Sequence, residues 1–263
     1  MTAYTHGHHE SVLRSHRWRT AENSAAYLLP HLRAQQRLLD VGCGPGTLTV
    51  DLAARVTSVT ALEQTAEALD LARVEAERQG ARAVEFRVAD VHALPFDDGE
   101  FDVVHAHQVL QHVADPVQAL REMRRVTRPG GIVAVRDSDY AAFAWFPQLT
   151  ALDHWAALYQ RCARANGGEP DAGRRLLSWA QAAGFSDVTP TASVWCFATP
   201  EDRAWWGGMW ADRILSSDMA TQALAAGFAT QADLEAISEA WLAWAAAPDG
   251  WLTIPHGEIV AVV

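Results

Sequence analysis

Three glycines, Gly42, Gly44 and Gly46, lie in the stretch LLDVGCGPGTLTVDLA, between an apolar run and a segment of helical spacing. Glycine there lets backbone approach a ligand closely, and a helix starting just beyond aims N–H groups at it. Three acids stand at related places: Asp40 before the first glycine, Glu63 closing the next apolar run, and Asp90 closing the one after. His107 ends the run FDVVHAH, and Asp137, Asp139 and Tyr140 follow in VRDSDY. A positioned imidazole or carboxylate can take a proton from a nucleophile.

These residues need a frame that brings them together. RLLDV (37–41), SVTALE (58–63), AVEFRVAD (83–90), FDVVHAH (101–107) and IVAVRDSD (132–139) read as five strands. Between them, residues 47–56, 65–80 and 116–131 have helical spacing, the last two stopped at Gly80 and at Pro129-Gly130-Gly131. Strands alternating with helices imply βαβ units, hence an α/β fold with a parallel sheet covered on both faces. The three acids and His107 then share one crevice at the carboxyl ends of the strands. After residue 140 the pattern changes. Residues 141–183 look largely helical with a loop at 165–173; 186–200 reads as a sixth strand, 201–226 and 230–247 as Trp- and Ala-rich helices, and 257–263 as a short last strand.

Composition bounds the function. The chain has 263 residues, 49% of them hydrophobic, so a buried core is expected. Lys and Arg number 21 against 32 Asp and Glu, a net charge of −11, which disfavours nucleic-acid and anionic-membrane partners. Cys43, Cys162 and Cys196 have no CxxC spacing, and neither a signal-peptide core nor a membrane span is seen; a cytoplasmic location is expected.

The glycine spacing is GxGxG, with Thr47 where the dinucleotide fingerprint GxGxxG needs its third glycine. LDVGCGPG closely resembles motif I of the class I S-adenosylmethionine-dependent methyltransferases. LPFDDGEFDVVHAHQVLQHVADP and RVTRPGGIVAVRD are similar to that family's later motifs, as in small-molecule enzymes of the ubiquinone/menaquinone type, and the likeness is firm over about 35–138. The resemblance implies a Rossmann-like, seven-stranded, mostly parallel sheet with an antiparallel last hairpin, an N-terminal helical lid and helical insertions after strands five and six. One domain spans 1–263 on this reading: lid 1–34, cofactor-binding core 35–139, substrate-side insertions with strand six 140–256, last strand 257–263. It further implies that Asp40, Gly42, Gly44 and Gly46 hold the methionine part of S-adenosyl-L-methionine. Glu63, with Gln64 beside it, takes the ribose, although an acid at 63 would also serve NAD. Asp90 and the Val91 N–H take the adenine. WRTAENSAAYLLPHL resembles a segment of glycine-N-methyltransferase-like enzymes whose arginine pairs with the cofactor carboxylate; here that is Arg19, with Tyr4 or Trp18 as a lid contact. Such a lid would be anchored by its ligand and loose without it.

The implied activity is methyl transfer by in-line displacement to a small, apolar or aromatic acceptor, leaving S-adenosyl-L-homocysteine. His107 is either a proton acceptor or a wall of the cofactor pocket, and His112 packs under QVLQHV. Asp137 is the second catalytic candidate; with Asp139 it either orients the acceptor or caps a helix. Tyr140, Trp145, Trp206 and Trp210 are candidates for the acceptor pocket, while Trp179, Trp241 and Trp244 read as core. No Cys or acid completes a tetrahedral set around His105 and His107, or around His6, His8 and His9, so no metal is expected. A monomer or homodimer is expected. The alternative is a protein of the same fold that binds the cofactor for a different reaction, or as a non-catalytic sensor.

Overall fold

A computed structural model describes residues 15–263. Tyr4, His6, His8 and His9 lie outside the described residues. The strands are β1 (Arg37–Val41), β2 (Ser58–Glu63), β3 (Val84–Val88), β4 (Phe101–His107), β5 (Thr127–Ser138), β6 (Ala144–Phe146), β7 (Asp187–Phe197) and β8 (Trp251–Val262). They form one sheet in the order β3-β2-β1-β4-β5-β8-β6, with β7 also paired to β8. β1 to β5 are mutually parallel; β8 runs antiparallel to β5, β6 and β7.

The helices α1 (Ala21–Ser24), α2 (Thr47–Ala53), α3 (Ala66–Gln79), α4 (Pro116–Val126), α5 (Thr150–Ala165), α6 (Leu176–Ala182), α7 (Pro200–Ser216), α8 (Asp218–Ala225) and α9 (Gln231–Ala246) surround it. Local chemistry sets their ends. The Thr65 side chain accepts the Ala68 N–H at the start of α3, and Gly80, left-handed, ends that helix. Thr199 and Thr230 open α7 and α9 with capping boxes closed by Asp202 and Asp233.

Strand alternation divides the core. Leu39, Val41, Val104 and Val135 pack on α4 and α6. Leu38, Val59, Val103 and Ala134 face the other way, onto Ala21, Ala25 and Leu28 and onto Leu48 and Leu52 of α2. A second hydrophobic mass joins α5, α7, α8 and α9 to Trp195 and Phe197 of β7 and to Leu252 and Ile254 of β8. Trp241 and Trp244 are wholly buried there, and Trp179 packs at the edge of the sheet core. No helix among the described residues is long and apolar enough to cross a membrane.

The structure departs from the sequence reading at four places. The sheet has eight strands, because Ala144–Phe146 pairs with residues 251–253 of β8 where helix was expected. β8 itself begins at Trp251, six residues early. A Cβ on Gly257 would lie 2.0 Å from the Gly173 carbonyl oxygen, so the strand needs glycine where another backbone crosses. α4 ends at Val126, since Thr127 is already extended and opens β5. The helix expected over 201–226 breaks at Ser217.

Candidate functional site

Strand order reverses between β1 and β4, and a cleft of about 1780 Å³, open mouth included, lies over the carboxyl ends of the strands there. Arg19, Asp40, Gly42, Gly44, Glu63, Gln64, Asp90, Val91, His107, Tyr140, Trp206 and Trp210 all line it. Trp18, Gly46, Asp137, Asp139 and Trp145 do not. Gly46 sits behind the loop as the N-cap of α2, Trp145 packs edge-on against Trp155, and Asp137 is buried behind the wall.

The glycines work by conformation and clearance. Gly42, Gly44 and Gly46 all have positive φ (68°, 55° and 83°), and a Cβ on Gly42 would meet Val109 Cγ2 at 2.5 Å. Their N–H groups are already engaged: Gly42 and Cys43 donate to the Leu62 carbonyl, Gly44 to Glu63 Oε1 at 2.8 Å and Gly46 to the Cys43 carbonyl. The loop thus offers close approach of backbone, while its own glycine N–H groups brace it. Beneath it, Asp40 accepts from Thr49 Oγ1 at 2.6 Å and pairs with His105 Nδ1 at 2.9 Å, which locks α2 and β4 to β1. His105 is wholly buried in this pair and does not line the cleft.

Glu63 ends β2 with its carboxylate also receiving the Gln64 N–H at 3.1 Å. Asp90 lies two residues past β3 and starts a turn, accepting the His92 N–H at 2.9 Å and facing His92 Nδ1 at 2.6 Å. The backbone donor, then the imidazole, hold its carboxyl below the usual range.

The lid's described part is held by protein as well. The Ala21 N–H donates to Asp51, Thr47 Oγ1 donates to the His16 carbonyl, and Trp195 Nε1 donates to the Asn23 carbonyl. Trp18 packs edge-on against Trp195 at 5.1 Å. Residues 16–24 thus have anchors in the protein besides any that a ligand would supply. Arg19 reaches from this segment to Gln108 Oε1.

On the far side, Tyr140 stacks between Phe143 (4.4 Å) and Tyr159 (3.7 Å), and Phe143, Trp195, Trp206 and Trp210 extend an aromatic wall. Polar groups interrupt it: Arg213, Gln111, His112 and Ser138 also line the cleft. His107 is buried against Trp195 and His256, and neither ring nitrogen has a hydrogen-bond partner among the described residues. Burial, then Arg19 and Arg136, push its pKa well below the usual 6.5. His112, expected to pack under QVLQHV, lines the cleft, and burial and Arg19 hold its pKa down to about 3.

Asp137 does not touch the cleft. Its Oδ1 accepts the Gln111 N–H at 3.1 Å, and burial raises its carboxyl to about 7. It shapes the 110–112 turn, and a direct catalytic part is corrected. Asp139 stands at the N-cap of the short 3-10 turn Tyr140–Ala142, but its side chain makes no capping bond there; Arg174 grips it through two bonds of 2.6 Å. Among the described residues no cluster of three His, Cys, Asp or Glu is arranged to hold a metal.

Trp195, Gln108, Gln111, Arg213 and Ile254 were missed. Trp195 was visible as an aromatic in strand six, and Arg213 as a charge in the helix WWGGMWADRI. Nothing local marks Gln108 or Ile254, since a residue's φ and the true start of β8 appear only on folding.

The profile of the family described as methyltransferase domain matches residues 32–184. An uncharacterized methyltransferase of Schizosaccharomyces pombe is 36% identical across 98% of this chain and 95% of its own. A demethylmenaquinone methyltransferase of Clavibacter sepedonicus is 32% identical over 68% of this chain and 75% of its own. Among solved structures, the YcgJ protein from Bacillus subtilis shares the fold with a TM-score of 0.59 at 19% identity, covering 90% of this chain and 96% of its own. The chain belongs to the class I S-adenosylmethionine-dependent methyltransferases, and it is an enzyme of that family. The site suits such a cofactor: glycines clear room at the loop, acids stand at the ends of β2 and β3, and a buried imidazole with unpartnered nitrogens faces the cleft.

Proposed function

We propose that the protein transfers the methyl group of S-adenosylmethionine to a small acceptor with a flat, aromatic or otherwise apolar body. One observation carries the reading. A single cleft joins the glycine loop, Glu63 and Asp90 to an aromatic wall of Tyr140, Phe143, Trp195, Trp206 and Trp210, with His107 among them.

Glu63 and Gln64 would hold the ribose, Asp90 and the Val91 N–H the adenine, Arg19 the carboxylate, and the loop over Asp40 the methionine chain. The cofactor supplies an electrophilic methyl on a sulfonium, a good leaving group. The protein's task is alignment and exclusion of water, which can be worth up to about 7–11 kcal/mol. The aromatic wall would fix the plane of the acceptor by stacking. Trp206, whose buried indole N–H has no partner among the described residues, is suited to donate to an acceptor oxygen.

His107 stays neutral at pH 7, so it would orient the acceptor's O–H or N–H by accepting a hydrogen bond and would be a weak base. That favours alignment over proton transfer as the source of rate.

The test is incubation with tritiated-methyl cofactor and a panel of phenols, amines and indoles, beside calorimetry with S-adenosylmethionine and NAD. Label in an aromatic acceptor, with heat for S-adenosylmethionine and none for NAD, is the expected result. Micromolar NAD binding without S-adenosylmethionine heat would overturn the cofactor assignment. Label confined to strongly polar acceptors would overturn the acceptor class.

A further inference from the structure

Gln108 is the one non-glycine residue with positive φ among the described residues, at 54°. A left-handed backbone is costly for a residue with a Cβ, and such outliers persist only where their surroundings enforce them. Here the Gln108 N–H donates to the Arg136 carbonyl at 2.7 Å, just past the end of β4. That turn sends the side chain into the cleft.

Both ends of the amide are engaged. Oε1 accepts from Arg19 Nη2, and Nε2 faces His256 Nε2 at 2.9 Å. The other nitrogen of His256, Nδ1, lies 3.0 Å from the Ile254 carbonyl oxygen. A carbonyl only accepts, so Nδ1 carries the hydrogen and Nε2 is a bare acceptor. The Gln108 NH₂ must therefore point at His256, and its oxygen must point at Arg19. The bridge has one polarity, and only a primary amide of this length satisfies both partners.

We propose that Gln108 is the positioning residue that presets Arg19 for the carboxylate of the cofactor, by tying it to His256 on β8. The inference rests on the reading that Arg19 binds that carboxylate. A long arginine side chain loses rotamer freedom when it grips a ligand. The bridge spends part of that freedom in advance, and it anchors a residue from the N-terminal segment to the sheet.

The experiment compares two ligands by calorimetry: S-adenosylhomocysteine, which carries the carboxylate, and 5′-methylthioadenosine, which does not. Gln108→Gly removes the bridge while suiting the left-handed backbone, so folding is preserved. Gln108→Asn also tolerates that backbone and is too short to span the gap. Each variant should weaken S-adenosylhomocysteine about tenfold, the scale of one hydrogen bond to a charged group. Each should change 5′-methylthioadenosine binding by less than about twofold, and Arg19→Ala with Gln108→Gly should be no worse than Arg19→Ala alone. Equal losses for both ligands, or additive losses in the double variant, would overturn the positioning role. Unchanged S-adenosylhomocysteine binding in Arg19→Ala alone would instead overturn the carboxylate reading beneath it.

Discussion

At the scale of single residues, Glu63 carries two duties. Its Oε1 receives the Gly44 N–H and its Oε2 the Gln64 N–H, so it braces the loop that it would share with the ribose. Glu63→Ala should weaken S-adenosylhomocysteine at least tenfold, through loss of a charge-assisted bond worth about 1.5–3 kcal/mol. Glu63→Gln, which keeps one acceptor oxygen, should lose less; calorimetry on both variants checks the order. His107 invites a different comparison. A base at this position would give a rate rising with pH through about 6.5, the unperturbed imidazole value. Burial beside Arg19 and Arg136 moves its protonation well below that. Steady-state rates should therefore show no His107 inflection between about pH 6 and 8. His107→Gln, a neutral hydrogen-bonding replacement, should retain more activity than His107→Ala. If both fell by the same roughly 10²–10⁴-fold, proton transfer would be its role after all.

At the scale of elements, the α2–α3 approach depends on a missing side chain. A Cβ on Gly46 would lie 3.0 Å from the Cα and Cβ of Ala72 in α3, at a φ of 83°. Gly80, with φ 69°, has open space around it and serves as the control. Gly80→Ala should cost about 1–2 kcal/mol for handedness alone. Gly46→Ala should cost more, since two helices must part; urea denaturation separates the two. A second element-level device joins β5, β7 and β8. Glu258 receives Arg136 Nε at 3.1 Å, Ser193 Oγ at 2.5 Å and Thr191 Oγ1 at 2.9 Å. Arg136 is buried and lies over the Trp195 ring, and burial pulls its pKa down to about 10. Glu258→Ala would strand that cation, at a cost of about 3–5 kcal/mol in the same assay.

At the scale of the whole molecule, buried titratable groups link stability to pH. His107, His112 and His256 are all held below their ordinary pKa, first by burial. The unfolded chain takes up protons on them below about pH 6.5 while the folded one does not, so each removes about 1.4 kcal/mol per pH unit on acidification. Asp137 acts in the opposite sense. Its folded pKa of about 7 exceeds the unfolded value, so between there and about pH 4 it favours the fold as pH falls. Three histidines outweigh one carboxyl. Unfolding free energy should fall from pH 6.5 to 5, and Asp137→Asn should steepen that fall. A denaturation series across this range tests both statements.

The first half of the fold, and the residues that line the cleft at the ends of β1, β2 and β3, were legible because their signals are local. Strands and helices of the βαβ run are set by side-chain periodicity, and GxGxG with acids at 40, 63 and 90 states its spacing directly. The opposite wall of the cleft was legible only as a supply of aromatics. Trp206 and Trp210 face the cleft while Trp145, equally plausible by type, packs on Trp155, because the choice depends on how α5, α7 and β6 meet. Asp137 reads like its neighbour Asp139, yet one carboxylate holds a turn and the other an arginine 35 residues away. Ile254 and His256 precede residue 257, where the last strand was expected to start, and only the pairing of β8 with β5 and β7 draws them into it. Residue type and spacing determined which cofactor family the chain serves. Which polar groups face the cleft, in which charge state, was decided by contacts between segments far apart in the chain, since burial and partner choice exist only once those segments pack.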